Sequence, residues 1–472
     1  MTDTERTFRR DVGTLLVGSL IAQVLALLIL PVLTRLYEPG DFGLLGKYLA
    51  LVGALGTLSL LRYDLAIALP EKDEEGVHVL GLCLGVLLVF TVFFGFGVWL
   101  FRDKISELLN NPAFSDCAWM VSLGIFGWGG FQAMSAWASR RGYFKTLSSC
   151  IASQSLGQSL AQVCLRVVGH TGLLLGSLIG QALALLGLLN KVRKEDATLL
   201  SIMTLEGVRQ AAARYWRFPL VSFWSGLVNV LNLHLPVLLF AGLYGQNFVG
   251  FYLLGFRVLQ MPLQLVGRSI AQVFFPEAAR SYRQQNLTQK TEDLFQLLTQ
   301  IGFPIILLVG VSAPEMFHIV FGSNWKEAGE MAMFLAPWLA LVFITSPLSS
   351  LPFVVQRQSQ EFGLQVFMLA VRVVALFVGG HLGGKNGALI AFAVAGFLAR
   401  SVYLGWLLHT AGVQLSRQWS AVRLYVAEGI SVYCIVLVVR HFTSGLESVL
   451  TVAIFAFVYM FFTKLRLVRT PS

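Results

Sequence analysis

Charge is scarce in this chain. Asp, Glu, Lys and Arg together make up 13% of its 472 residues, about half the share of an ordinary soluble domain. Polar stretches long enough to fold by themselves are missing too, because apolar runs recur from Val12 to Phe462 with short breaks. The five cysteines include no C-x-x-C pair, and most lie inside apolar runs. That pattern gives small buried thiols rather than a disulfide framework or a metal site. The seven histidines show no H-E-x-x-H or paired ligand spacing. Gly40 to Lys47 imitates a phosphate loop, but five residues separate Gly40 from Gly46 and Tyr48 follows the lysine, so the motif fails. No catalytic constellation, cofactor motif or metal set emerges, and the expectation is a protein that is not an enzyme.

What is abundant is membrane-length hydrocarbon. A helix needs about 20 residues to cross a bilayer, and the apolar runs support about fourteen spans: 12–36, 43–69, 77–100, 117–137, 147–168, 173–190, 219–243, 250–275, 292–321, 328–354, 361–379, 387–410, 422–440 and 447–463. The fold class expected is therefore an all-α polytopic membrane protein. Lys and Arg sort onto one set of loops: Arg9 and Arg10, Arg140 and Arg141, Lys191 to Arg217, Arg280 and Arg283, and Lys464 to Arg469. The other set holds only Arg102, Lys104, Lys326, Lys385 and Arg440. The positive-inside rule then places both termini in the cytosol. The net charge of +10 thus reports topology and a membrane surface, and calls for no nucleic acid.

Leu30 to Leu51 reads LPVLTRLYEPGDFGLLGKYLAL, and Leu235 to Leu259 reads LPVLLFAGLYGQNFVGFYLLGFRVL. Each places Leu-Pro-Val-Leu before a short Gly-containing turn and a Leu-rich helix with a cation. The offset of about six spans gives two lobes in the same orientation, a transporter architecture. The boundaries expected are an N-terminal lobe at 1–190, a cytosolic linker at 191–218, a C-terminal lobe at 219–410, and an extra helix pair with a tail at 411–472.

Cations remain inside or at the ends of the spans: Arg35, Lys47, Arg62, Arg166, Arg257, Arg268, Arg372 and Arg400. The acids there are fewer, chiefly Asp64 and Glu428. Charge in hydrocarbon is costly and marks function, pairing or water access, and an excess of buried cations calls for an external anion. Arg257, Gln260, Gln264, Arg268 and Gln272 fall on one face of span 8, with the two arginines about 20° apart around the axis. Ser222, Ser225, Asn229 and Asn232 share a face of span 7, and Gln154, Gln158, Gln162 and Arg166 share one of span 5. Such stripes serve either as interhelical packing or as the wall of a hydrated cavity; two arginines favour the cavity on span 8. On a continuous span 2, Lys47 and Arg62 would lie within about 60° of each other, whereas Arg62 and Asp64 would point apart. Asp64 and Glu428 are candidates for ion coupling, with a structural ion pair as the alternative. His234 is a packing or cavity group, with proton coupling as the other reading.

The segments YEPGDFGLLGKYLALVGALGTLSLLRYDLAIALPEKDEE (37–75), GFYLLGFRVLQMPLQLVGRSIAQVFFPEAAR (250–280) and FGSNWKEAGEMAMFLAPWLALVFITSPLSS (321–350) resemble Wzx-type polysaccharide flippases. These belong to the MOP superfamily, beside the MurJ lipid II flippases and the MATE antiporters. The resemblance covers most of residues 10–410. It implies translocation of an undecaprenyl-pyrophosphate-linked oligosaccharide from the cytosolic to the periplasmic leaflet by alternating access between two six-helix lobes. It also implies that Lys47, Arg257 and Arg268, with Arg62 and Arg35 as weaker candidates, receive the pyrophosphate. Gln260, Gln264, Asn229 and Asn232 would meet sugar. Membrane lipids, a polysaccharide polymerase and a chain-length regulator are the partners implied. The alternatives are a MATE-like exporter of small molecules, a lipid II flippase, and a membrane-embedded synthase or scaffold subunit.

Overall fold

The computed structural model describes residues 21–109, 113–263 and 267–414, with a few isolated positions after these. Spans 13 and 14 of the sequence reading, and the first part of span 1, lie outside the described residues. Within them the chain is helical. The order is α1 (Ile21–Leu36), α2 (Pro39–Leu58), a 3₁₀ segment (Tyr63–Ala68), α3 (Asp73–Leu100), α4 (Arg102–Leu108), α5 (Ala113–Arg140), α6 (Phe144–Cys164) and α7 (Thr171–Glu195). Two short helices, α8 (Ala197–Ser201) and α9 (Leu205–Arg214), lead to α10 (Phe223–Pro262), α11 (Arg268–Arg283), α12 (Leu287–Phe321), α13 (Lys326–Leu348), α14 (Leu351–Val354) and α15 (Gln358–Thr410). Seven helical segments among the described residues are long and apolar enough to cross a membrane. Two of these are broken by glycines that leave helical geometry: α10 at Gly245, where φ is 80°, and α15 at Gly383 and Gly384. Without water to satisfy amides, a spanning chain can turn only where such residues permit it.

The chain forms two compact units, Met1–Gly250 and Phe251–Ser472. The first has its core where α3, α5 and α7 meet, with Leu80, Cys83, Leu87, Met134, Trp137, Leu188 and Val192 buried together. Cys83, Cys117 and Cys150 are buried free thiols and Cys164 is an exposed one. Helix α2 starts with Pro39 in its first turn, and the Glu38 N–H donates to Asp41 Oδ2 at 3.0 Å, both ordinary start devices. The second unit is built on an antiparallel α12–α13 hairpin. Gly302 faces Phe343, Gly310 faces Ala336, and Gly329 faces Ala313 and Pro314, so small residues set the helix separation along its whole length.

One sequence expectation is corrected here, and one left open is decided. Span 2 does not continue to residue 69. Helix α2 ends at Leu58, and Leu61 and Arg62 both take left-handed backbone with φ of 46° and 67°. Neither is glycine, so the break is held against an intrinsic cost of about 1–3 kcal/mol per residue. It also removes the helical-wheel argument that placed Lys47 and Arg62 on one face. The glutamine stripe of span 5 packs between helices: Gly176 of α7 lies against Gln162, and Gly180 lies against Gln154 and Gln158. Gln162 is 3% exposed and donates to the Leu173 carbonyl at 3.0 Å.

A glycine that admits a neighbouring backbone cannot accept a side chain. A Cβ on Gly43 would collide with the Gln246 carbonyl, whereas one on Gly85 meets nothing within 4 Å. Gly43→Ala is therefore expected to lower stability by about 1–3 kcal/mol through overpacking. Gly85→Ala should leave the melting temperature in detergent unchanged or raise it. Thermal melts of the two purified variants check this.

Candidate functional site

Helix α2 and the first part of α10 run against each other through three glycine contacts in antiparallel register. Gly43 approaches Gln246, Gly53 approaches the His234 ring, and Gly226 approaches the aliphatic stem of Arg62. The last contact sets Arg62 beside the polar stripe of α10, because Asn229 follows Gly226 by three residues and shares its side of the helix. Asn229 is exposed. Asn232 is half-buried and donates to its own helix at Val228 O, 3.0 Å. Arg62 Nε is buried without a hydrogen-bond partner. The structure thus brings Arg62, Asn229 and His234 onto one seam of the first unit.

Asp64 lies beside this seam but turns into the core. It is 7% exposed; Oδ2 accepts from Gln132 Nε2 at 2.8 Å, and Oδ1 is buried without a partner. It is not paired with Arg62, and the reason is the broken backbone and its own bond to Gln132 rather than helical spacing.

Lys47 is placed differently from the expectation. It is 0% exposed, and Nζ donates to the Leu109 carbonyl at 2.7 Å. That carbonyl terminates α4, where a cation satisfies an orphan acceptor and the negative end of the helix. Lys47 therefore closes the fold of the first unit and lines no open cavity there. Arg35 is exposed, and its Nη1 donates to Pro31 O at 3.2 Å. In the second unit Arg257 and Gln260 are half-buried on α10. Gln264 and Glu428 lie outside the described residues, as does the Arg268 side chain.

Several charged groups escaped sequence reasoning because their partners are far apart in the chain. Asp196 is wholly buried and receives Trp137 Nε1 at 2.9 Å, Tyr143 Oη at 2.8 Å and Arg141 Nε at 3.0 Å. Arg141 also pairs with Asp73, which receives Arg140 Nε at 3.0 Å as well. Arg140 further donates to the Ile67 and Pro70 carbonyls, at 3.0 and 2.7 Å. Burial, and next the bond to Asp196, hold the Tyr143 hydroxyl above its ordinary range. This network joins the ends of α5, α6 and α7 to the start of α3. In the second unit Arg372 lies against the rings of Trp338 and Phe392, 5.4 and 5.6 Å from their centres, and the two rings meet edge to face. Arg400 stacks on Tyr403 at 5.1 Å, and the Tyr403 hydroxyl donates to Glu361 at 3.0 Å. Both arginines were visible in the sequence as membrane-depth cations; the rings of Trp338 and Phe392 against Arg372, 34 and 20 residues away, were not.

Comparison with known proteins bears on the whole arrangement. A family model described as polysaccharide biosynthesis protein matches residues 32–330. The chain is 24% identical over 393 residues to the lipopolysaccharide biosynthesis protein WzxC of Escherichia coli (strain K12), spanning 80% of this chain and 76% of that protein. It is 26% identical over 346 residues to the succinoglycan biosynthesis transport protein ExoT of Rhizobium meliloti (strain 1021), spanning 70% and 66%. Among solved structures, the lipid II flippase MurJ in its inward closed conformation superposes with a TM-score of 0.75 at 12% identity, over 96% of this chain and 99% of that one. An inward-facing MATE multidrug transporter of the MOP superfamily gives 0.63 at 15% identity, over 84% and 94%. These two likenesses establish the fold.

Removing one member of a buried charge network strands the others. Asp196→Ala leaves Arg141, Tyr143 and Trp137 without their acceptor and is expected to cost about 3–5 kcal/mol. Glu195→Ala breaks only the partly exposed Lys191 pair, worth about 0.3–0.5 kcal/mol. Melting temperatures of the two variants in one detergent decide between a latch and a solvated surface.

Proposed function

This chain belongs to the polysaccharide biosynthesis protein family, and from that premise we propose that it translocates an oligosaccharide linked to undecaprenyl pyrophosphate across the bacterial inner membrane. It is a multi-pass transporter of the flippase class rather than an enzyme. WzxC and ExoT, both named for the biosynthesis or transport of surface polysaccharides, support the substrate class. The direction is cytosolic to periplasmic leaflet, and both termini are cytosolic on the distribution of Lys and Arg.

The observation that carries the reading is the sign of the charge held at membrane depth. Lys47, Arg257, Arg372 and Arg400 lie within the spans and Arg62 at the break after α2, while Asp64, Glu315 and Glu361 are the acids at comparable positions, Asp64 bonded to Gln132 and Glu361 to Tyr403. A pyrophosphate brings negative charge that must cross hydrocarbon, and guanidinium forks fit its oxygens. A MATE-like exporter of cationic compounds shares the fold but would need the opposite excess. We assign Arg257, Arg268 and Arg62 to the pyrophosphate, and Gln260, Gln264, Asn229 and Asn232 to the glycan. Lys47 is assigned to the fold and Arg35 to the rim. Two six-helix lobes at 1–190 and 219–410, joined by the linker 191–218, provide alternating access, with the segment 411–472 as an addition. A polymerase and a chain-length regulator are the partners that consume the product.

Each lost guanidinium–phosphate contact removes about 1.5–3 kcal/mol, or about ten- to a hundredfold in rate or affinity. Arg257→Ala and Arg268→Ala are each expected to cut polymer export by that factor while the protein remains inserted. Surface polysaccharide per cell, normalised to membrane-embedded protein, measures it. Undiminished export in both variants would sink the cationic site.

A further inference from the structure

The backbone break at the end of α2 has two sides. Arg62 rests against Gly226 of α10. Leu61, its neighbour, lines a cavity of about 490 Å³ bounded by one face of α3 from Leu82 to Phe94 and by Val208 of α9. This volume is within the range of ordinary ligand sites. Every lining side chain is apolar. Val89 and Phe93 are 70% and 71% exposed, so the cavity opens on the lipid-facing side of α3. Its wall is stiffened by Phe90 and Phe94, whose rings stack 4.1 Å apart at 23°.

We propose that this cavity holds the phosphate-proximal isoprene units of the polyprenyl tail, with Arg62 as the countercharge of the phosphate. The inference rests on the substrate class proposed above and adds the place where the lipid part docks. Between a membrane and an apolar cavity there is no hydrophobic driving force, since lipid tails are as apolar as leucine. Retention must come from shape and from the charge of Arg62, the residue that follows the lining Leu61. A slot with stacked aromatic rings fits a single methyl-branched chain better than the paired acyl chains of a phospholipid. Arg62 supplies the charge, and its buried Nε lacks a hydrogen-bond partner, a deficit that a phosphate oxygen would remedy.

Depth agrees as well. The Asp73–Arg140–Arg141 network marks the membrane surface on this side, and Arg140 reaches back to the Ile67 and Pro70 carbonyls. The six-residue 3₁₀ segment Tyr63–Ala68 rises about 2 Å per residue, so Arg62 can lie up to about 10 Å beneath that surface. A phosphate meeting it is drawn below headgroup level, and the adjoining cavity is where its first isoprene units would then lie. The strained pair Leu61–Arg62 is what lets consecutive residues serve tail and phosphate.

The test uses the full chain in nanodiscs and counts bound lipid by native mass spectrometry, with sugar-free undecaprenyl phosphate, undecaprenol and dioleoylphosphatidylglycerol as probes. Gly85 lines the cavity and an added Cβ meets nothing within 4 Å, so Gly85→Trp fills the slot without disturbing the helix. Gly85→Trp should weaken retention of undecaprenyl phosphate about tenfold and leave phosphatidylglycerol unaffected. Arg62→Gln should weaken undecaprenyl phosphate alone, so that phosphate and alcohol bind alike. Wild-type retention in Gly85→Trp overturns the site, as does phosphatidylglycerol displacing undecaprenyl phosphate from the wild type at equal concentration. A wild-type protein that translocates lipid-linked oligosaccharide while Gly85→Trp retains the probe unchanged removes only the tail site. A wild type that translocates none removes the substrate reading itself.

Discussion

Hydrocarbon offers a buried cation no solvent, and how each membrane-depth cation of this chain is accommodated decides which of them a ligand can use. Lys47 is bonded to the carbonyl that ends α4. Arg166 lies over the Tyr37 ring at 5.2 Å, Arg372 against Trp338 and Phe392, and Arg400 over Tyr403. Aromatic faces accept guanidinium charge without removing it, so Arg372 and Arg400 keep the interior positive; Arg372 donates Nε to the Met368 carbonyl at 3.2 Å, and Arg166 is exposed. Arg62 shares with Arg400 a buried Nε that lacks a partner and differs from it in its left-handed backbone. The strain there is maintained by packing of its stem against Gly226 rather than by local preference.

Hydropathy made the helical membrane fold and several of its corners within the described residues legible, because a bilayer imposes a length on any sequence that crosses it. The Leu-Pro-Val-Leu repeat also marked real corners: α1 ends at Leu36 before α2 begins at Pro39, and α10 breaks at Gly245. The end of α2 was illegible. Ser59-Leu60-Leu61-Arg62 contains neither glycine nor proline, so nothing local announces a stop. Lys47 was misplaced for a related reason, since its acceptor lies 62 residues away. The stripe of α6 could be read as packing or as cavity from its own glutamines, and only Gly176 and Gly180 on the next helix settle it as packing.

The fold by itself does not choose a substrate, because MurJ and a MATE transporter both superpose on the chain. In the function proposed above, charge does the discriminating. An interior richer in arginine than in carboxylate suits an anion and repels the cations that the same scaffold could otherwise export. The glycine-lined seam of α2 and α10 then gives that charge a fixed place, with Gly43, Gly53 and Gly226 meeting Gln246, His234 and Arg62 in turn.

The central claim is that the transported lipid is recognised through its pyrophosphate. The most direct measurement is the initial rate of translocation in proteoliposomes for one oligosaccharide carried either on undecaprenyl pyrophosphate or on an uncharged polyprenyl carrier of equal length. The account predicts that the charged carrier crosses about tenfold faster or more and that inorganic pyrophosphate inhibits it. Equal rates for the two carriers would contradict it.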